Sequence, residues 1–348
     1  MDINVFSFIM SVIWFNIFIL IINFFRKRDK FISNFNVYSI LFLILLAIIR
    51  VIFSFDFKNA IIINSEKIYP IFYNFITYEF SLNSLNLRMY NIIILIWVVG
   101  ILILTICDIL NFIKFKKILN TYKNIWNKNN ETVLGEIIKS QNIGKKINIV
   151  QTENINSPMI VGINNPTIYL PNINFTNEEL HFIIFHELNH FLGKDIIKKI
   201  FMQIFKNIFW WNPFIHIFAK DFDNILEVQC DLRTTKHMTN LEKKDYLKSI
   251  AKVLRNDVNK FETYKVEVAS YLINTSNFYD IKQRFKIVLN CNYKSKSKYI
   301  NIFICILFFI LFIASYFFIF KPFYFPEDEG IYYKEGYDTF LIENDEIF

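Results

Sequence analysis

Four long apolar runs divide the chain, at residues 5–25, 37–55, 91–113 and 299–320. Each reaches the roughly 20 residues a helix needs to cross a hydrocarbon core. Arg50 interrupts the second run and Asp108 lies near the end of the third; both sit near span ends, where a long or polar side chain can reach the interface. Between the third and fourth runs the pattern changes to short elements. Residues 114–127 predict a basic helix leaving the membrane, and 133–139 a short helix. Residues 146–151 alternate, with Ile147 and Ile149 on one side, and predict a strand. The short β-type runs 159–161 and 167–170 are separated by Gly162 and Pro166 and closed by Pro171, which predicts a small sheet or hairpin. Thr176-x-x-Glu179 is a capping box that opens a helix running to about Leu192, with Gly193 as its stop. On that helix Leu180, Ile184, Leu188 and Phe191 form an apolar stripe. A second helix follows over 195–211 until Asn212-Pro213 breaks it. A third spans 214–235, and 243–254 and 281–289 are also helical.

Charge orients the spans. Arg26, Lys27, Arg28 and Lys30 follow the first, Lys114, Lys116, Lys117 and Lys123 follow the third, and Lys294, Lys296 and Lys298 precede the fourth. Basic flanks stay inside. The 56–88 loop and an acidic tail (Glu327, Asp328, Glu329, Glu335, Asp338, Glu343, Asp345, Glu346) then lie outside, giving an N-out, C-out topology. The first run has no basic leader and no small-x-small site after it, so it reads as a span and not as a cleaved signal. The expected layout is three spans with an outer loop over 1–113, a cytoplasmic domain over 114–298, a fourth span over 299–320 and an outer tail over 321–348. Hydrophobic residues make up 54% of the chain, more than a soluble protein of this length needs. The net charge of +7 follows from these flanking lysines, and nothing resembles a nucleic-acid-binding motif. Among the four cysteines, Cys107 and Cys305 lie in spans, Cys230 and Cys291 in the cytoplasmic segment, and no C-x-x-C is present.

Within that segment stands His186-Glu187-Leu188-Asn189-His190, an H-E-x-x-H pattern in a chain with only five histidines. Residues four apart on a helix share a face, so the two imidazoles can meet one ion, and Zn²⁺ suits imidazole nitrogen. Glu187 then stands beside the metal as a general base. His181 lies about 140° around the helix from His186 and reads as an exposed polar side chain. A catalytic zinc needs a third protein ligand. Glu227, on the third helix, is the best candidate, with Asp223 as the fallback. Asp231, one turn beyond Glu227, can accept the free ring N–H of a ligand histidine. The plainer reading of both acids is a solvated helix face. His216 lies 11 residues before Glu227, about 16 Å along a helix, too far to share an ion with it. His237, Arg233 and Tyr246 are candidate donors to a tetrahedral oxyanion, against a bland reading as surface residues.

Three segments carry a family resemblance: Ser157-Pro158-Met159-Ile160-Val161-Gly162 through Pro166-Thr167-Ile168-Tyr169-Leu170-Pro171; Glu178-Glu179-Leu180 into the H-E-x-x-H; and Trp210-Trp211-Asn212-Pro213 followed by Glu227-Val228-Gln229-Cys230-Asp231. With four spans, the chain resembles the BlaR/MecR-type membrane zinc metallopeptidases, gluzincins whose third ligand is a glutamate. The resemblance implies a membrane α-helical protein with a cytoplasmic α+β gluzincin-type peptidase domain. It implies His186, His190 and Glu227 as zinc ligands, Glu187 as base and Asp231 as a second-layer partner. The implied role is signalling at a bacterial plasma membrane, by cleavage of the protein itself or of a cytoplasmic repressor in response to envelope or antibiotic stress.

One departure is expected. The best-known members carry a large outer penicillin-binding domain after the fourth span, where only 321–348 stand here. Ser295-Lys296-Ser297-Lys298 fits S-x-x-K but lies in the inner lysine cluster and reads as a topology signal. The input is then expected through the 56–88 loop, the acidic tail or an outer partner protein. Membrane lipid is a further partner, direct nucleic-acid contact is not expected, and an oligomer is left open. Alternative readings are a four-span housekeeping protease for membrane-protein quality control, a non-catalytic sensor or adaptor, and a transporter, which four unrepeated spans fit poorly.

Overall fold

A computed structural model of the protein describes residues 5–28, 31, 37–55, 61–65, 71, 75, 78–82, 85–121, 128–153, 155–260, 278–290, 298–322, 331–335, 338–343 and 346–347. Lys30, Lys123, Cys291, Lys294, the Ser295-Lys296-Ser297 stretch, and Glu327, Asp328, Glu329 and Asp345 fall outside these residues.

The chain begins with α1 (Val5–Arg26), α2 (Val37–Ile52), β1 (Ile61–Ser65), the antiparallel pair β2 (Glu79–Leu82) and β3 (Leu85–Arg88), and the 33-residue α3 (Met89–Thr121). Next come α4 (Lys128–Ser140), β4 (Asn148–Thr152), β5 (Met159–Val161) and β6 (Thr167–Pro171). The helices α5 (Asn177–Leu192), α6 (Asp195–Ile208), α7 (Pro213–Thr234), α8 (Asn240–Lys260) and α9 (Phe278–Asn290) follow. Last are α10 (Lys298–Ala314), β7 (Phe318–Pro322), β8 (Ile331–Glu335), β9 (Asp338–Glu343) and β10 (Glu346–Ile347).

Two of the four apolar runs, in α1 and α3, form helices long and apolar enough to cross a membrane. The other two are shorter than the sequence pattern predicts. α2 has 16 residues and α10 has 17. The fourth run leaves its helix at Ser315, whose N–H bonds back to Leu311 and Phe312, and re-enters regular structure as β7. Its Phe-Ile-Phe sequence suits a strand at least as well as a helix, and β1 pairs with it in parallel from Ile61↔Phe318. α3 instead runs past its predicted end and takes in Lys114, Lys116 and Lys117.

The chain falls into two compact units: residues 1–15, 47–96 and 309–348, and residues 16–46 and 97–308. In the first, Arg50 is 1% exposed. Its Nε donates to Ser315 Oγ at 3.1 Å, and its guanidinium lies 4.2 Å above the Tyr316 ring. The arginine is therefore held between apolar runs and not extended to an interface, because a guanidinium among apolar side chains needs internal partners.

The second unit is built on a three-stranded sheet in the order β4-β6-β5, with β4 parallel and β5 antiparallel to β6. This leaves β5 at an edge. α4 and α5 cover the sheet, and Val133, Ile137, Ile168, Leu180, Ile184 and Leu188 form the shared core. α5 starts as its sequence dictates: the Thr176 hydroxyl accepts from the Glu179 N–H at 3.2 Å, and Glu179 Oε2 accepts from the Thr176 N–H at 2.9 Å. Its apolar stripe faces the sheet, so the opposite side, with both histidines, is presented to α7. At its other end the left-handed residue is Lys194 (φ 56°) and not Gly193, whose φ is −75°. A Cβ at Gly193 would meet the Arg233 guanidinium, which would have to shift from its place beside Asp195.

Removing side-chain volume beneath the histidines tests this packing. Ile184 is fully buried. Ile184→Ala is expected to cost about 2–5 kcal/mol and Ile184→Val about 0.5–1.5 kcal/mol, read as graded drops in the thermal unfolding midpoint. Equal midpoints for all three proteins would contradict the packing.

Candidate metal centre

Two turns of α5 set the imidazoles. His186 Nε2 and His190 Nε2 lie 3.2 Å apart, and both residues are buried. α7 crosses α5 and brings Glu227, 9% exposed, to the same point. Its Oε1 is 3.6 Å from His190 Nε2 and its Oε2 is 3.9 Å from His186 Nε2.

The partners behind each ring fix which nitrogen carries the proton. His190 Nδ1 is 2.9 Å from Asp195 Oδ2 at the first residue of α6, so Nδ1–H donates there. His186 Nδ1 is 2.8 Å from the Tyr246 hydroxyl, which itself donates to Asp231 Oδ1 at 2.6 Å. The single phenolic proton is thus committed to Asp231, and the tyrosine oxygen accepts from His186 Nδ1–H. Both Nε2 atoms are left to face each other and a carboxylate. Such a cluster is repulsive by itself and attractive around a cation. Three donors of one tetrahedral ion with bonds near 2.0–2.1 Å stand about 3.3 Å apart. The observed separations fit, with a modest inward movement of Glu227.

Electrostatics support the same reading. Burial pushes the His186 pKa down to about 4, so the ring is neutral and able to ligate. Burial also opposes charge on His190, but the Glu227 and Asp195 carboxylates outweigh it and raise its pKa, so without an ion the pocket holds a proton where a cation would sit. Burial likewise disfavours the Glu227 carboxylate, yet His190, Arg284 and Lys199 hold its pKa well below the usual range. Arg284, from α9, donates to both oxygens of Asp231 at 2.7 and 3.0 Å and lies 3.3 Å from Glu227 Oε2. Lys199 Nζ is 3.5 Å from Glu227 Oε1. Glu187 is buried, which pushes its pKa up to about 7, and the backbone N–H of Ile160 on β5 donates to it. Proton exchange near neutral pH is what a general base needs.

Among the described residues a second set of donors that could hold an ion shares the two histidines. Cys230 offers a sulfur within 4.8 Å of nitrogens of His186 and His190. That sulfur is 3.7 Å from His186 Nδ1, the nitrogen already bonded to Tyr246, and 3.3 Å from the His186 carbonyl oxygen. Burial also raises the Cys230 pKa and keeps the thiol protonated.

The residues singled out in the sequence separate cleanly. His186, Glu187, His190 and Glu227 line one cleft of about 150 Å³, with β5 on its wall. Asp231 is at the site but reaches His186 through Tyr246, its own Oδ1 being 3.5 Å from Nδ1. Tyr246 therefore stands behind a histidine and not over the cleft, and Arg233 is bonded to Asp195 at 2.9 Å. His237 is corrected: it is exposed in the turn after α7 and does not line the cleft. His181 and His216 are exposed, as expected. Asp195, Lys199 and Arg284 were not foreseen. Asp195 had a usable signal, an acid five residues past His190 just after a glycine turn. Arg284, 53 residues from Asp231, had none.

The sequence signature of the BlaR1 peptidase M56 family matches residues 5–288. A Staphylococcus aureus methicillin resistance mecR1 protein is 30% identical over 224 residues, covering 61% of this chain and 36% of the relative. Regulatory protein BlaR1 of Staphylococcus aureus is 27% identical over 241 residues, covering 68% and 40%. Its counterpart from Bacillus licheniformis is 25% identical over 197 residues, covering 56% and 32%. This chain thus spans about a third to two fifths of the length of these relatives.

The buried guanidinium gives a direct test. Arg284→Ala takes the guanidinium from two buried carboxylates, leaving Asp231 with the Tyr246 hydroxyl and Glu227 with Lys199, and is expected to cost about 3–5 kcal/mol, read as a lowered unfolding midpoint. Asp231→Asn with Arg284→Met should recover part of that loss. A single Arg284→Ala variant as stable as the parent would show that the two carboxylates do not depend on it.

Proposed function

The chain belongs to the BlaR1 peptidase M56 family, and from that premise we propose that it is a zinc-dependent membrane endopeptidase of gluzincin type. The observation that carries the proposal is the convergence of His186 Nε2, His190 Nε2 and Glu227 within 3.2–3.9 Å, with both Nδ1 protons already assigned elsewhere. These three residues would hold the ion, and two imidazoles plus one carboxylate suit zinc. When bound, zinc supplies Lewis acidity that polarises a scissile carbonyl and acidifies water.

The remaining chemistry belongs to the chain. Glu187 takes the proton of the attacking water and delivers it to the leaving amine. Asp195 and the Tyr246–Asp231 pair hold the two rings so that Nε2 faces the ion. The free edge of β5 offers backbone groups to an extended peptide passing along the cleft, and Met159, Ile160 and Val161 border it.

The wider reading extends this to signalling. The apolar runs are taken as four spans in an N-out, C-out arrangement, with the 114–298 domain in the cytoplasm. The substrate is then the protein itself or a cytoplasmic repressor, cleaved when an outer event changes the spans. Kinship to proteins described as methicillin resistance and regulatory proteins supports a role in antibiotic response.

The test uses the full chain purified in detergent, with metal analysis and cleavage of an unfolded protein substrate measured together. The parent should bind one zinc per chain and lose cleavage on chelation. Glu187→Gln should keep the zinc and lose at least about a hundredfold in rate. Undiminished cleavage by Glu187→Gln would overturn the assignment.

A further inference from the structure

The helices that carry the metal-site carboxylates have an unexpected pair of neighbours. α6 lies along α3: Gln203 and Asn207 both donate to Asp108 Oδ2, at 2.8 and 2.7 Å. Further along, Trp97 Nε1 donates to the Ile208 carbonyl at 2.6 Å. The Trp210 ring lies so close to Gly100 that a Cβ there would stand 2.6 Å from it. α6 therefore runs antiparallel to α3, and its end reaches positions 8–11 residues into a helix that begins at Met89. α7 then returns along α1. Asn212 Nδ2 donates to Asn16 Oδ1 at 2.8 Å, Asn23 Nδ2 donates to Asp221 Oδ2 at 2.7 Å, and Arg26 pairs with Asp221 and Asp280. Asn16 is midway along α1.

We propose that α6 and α7 form a re-entrant hairpin whose tip, Trp210-Trp211-Asn212-Pro213, sits near the middle of the bilayer, with lipid chains covering its outer face. This rests on the reading of α1 and α3 as membrane spans. Depth follows from helix rise. Trp97 is about 12 Å and Asp108 about 28 Å from the start of α3, at 1.5 Å per residue, in a core roughly 30 Å thick. The polar side chains confirm the direction in which the hairpin is solvated. Asn212 bonds to Asn16, and Gln203 and Asn207 bond to Asp108, inside the helix group. The exposed positions are apolar: Ile197, Ile200, Phe201 and Ile204 on one face of α6, and Trp211 and Ile217 beyond. Polar groups satisfied inward and apolar side chains outward is the arrangement lipid selects, the reverse of that selected by water. His216 and the half-buried Lys206 in the last turn of α6 are the polar exceptions near the tip, and Lys220 is level with the basic end of α1, where an ammonium group reaches the headgroups.

The consequence is a depth for the catalytic cleft. Glu227 lies 14 residues from the start of α7, about 21 Å from the tip. Half of the core is about 15 Å thick, so the cleft opens at the headgroup layer. A segment of chain adjoining a span reaches it directly, and a cytoplasmic repressor is cut there only when it is brought to the inner membrane surface.

Depth-dependent quenching tests this on the full chain in lipid vesicles. A small fluorescent non-natural amino acid replaces Trp211, Ile204, Leu102 on α3, or Lys244 on α8, one at a time. Vesicles carry spin-labelled lipid at mid-chain or at the headgroup, and iodide serves as the aqueous quencher. The probe at 211 should be quenched severalfold more by the mid-chain label than by the headgroup label, like that at 102. The probe at 204 should favour the shallower label, and only 244 should respond to iodide. If 204 and 211 follow 244 while 102 remains lipid-quenched, the hairpin proposal is overturned and the spans stand. If 102 also follows 244, the membrane reading itself fails.

Discussion

Two imidazole lone pairs pointing at one carboxylate are the constraint around which the second unit is organised. His186 and His190 do not reach this state alone. Each needs a base on its far nitrogen, and the chain supplies Asp195 to one and the Tyr246–Asp231 pair to the other. Those bases need counter-charges in turn, because a buried carboxylate without a partner is costly. Arg233 and Lys198 meet Asp195, and Arg284 meets Asp231 and Glu227. The result is a nested arrangement in which α5, α6, α7, α8 and α9 each contribute one or more charged or hydrogen-bonding groups. Moving any one of these helices disturbs the point where the three donors meet.

That dependence gives the site a mechanical connection to the apolar helices. α9 carries Arg284 towards the carboxylates and, one turn earlier, Asp280 towards Arg26 at the end of α1. Gln283 also donates to the Arg26 carbonyl at 2.7 Å. α7 links Asp221, beside Arg26, to Glu227 less than two turns later. A shift of α1 is therefore felt by both helices that hold the third donor and its counter-charge.

The sequence was most legible where local rules decide. The capping box at Thr176 and the stripe Leu180, Ile184, Leu188 defined α5, and the histidine spacing followed from helix geometry. Gly162, Pro166 and Pro171 marked the strands that became β5 and β6. Glu227 was within reach only because the H-E-x-x-H calls for a third ligand and Glu227, with Asp231 one turn later, puts two carboxylates on one helix face. The rest was hidden by distance along the chain. Arg284, Asp108 and Asn16 acquire meaning only from partners 53, 95 to 99 and 196 residues away. Arg50 and Asp108 looked like interfacial charges, but the structure gives both internal partners. The apolar run at 299–320 predicts one span, but its aromatic and β-branched end turns into β7. His237 had the right chemistry and the wrong position, since the turn after α7 faces it outward.

The central claim is that a single ion is held by two imidazoles and the Glu227 carboxylate, and not by the Cys230 sulfur. Zinc-edge X-ray absorption of the purified full chain tests it most directly. The account predicts a first shell of nitrogen and oxygen only, at about 2.0–2.1 Å. A sulfur scatterer at about 2.3 Å, or a nitrogen and oxygen shell unchanged by Glu227→Ala, would contradict it.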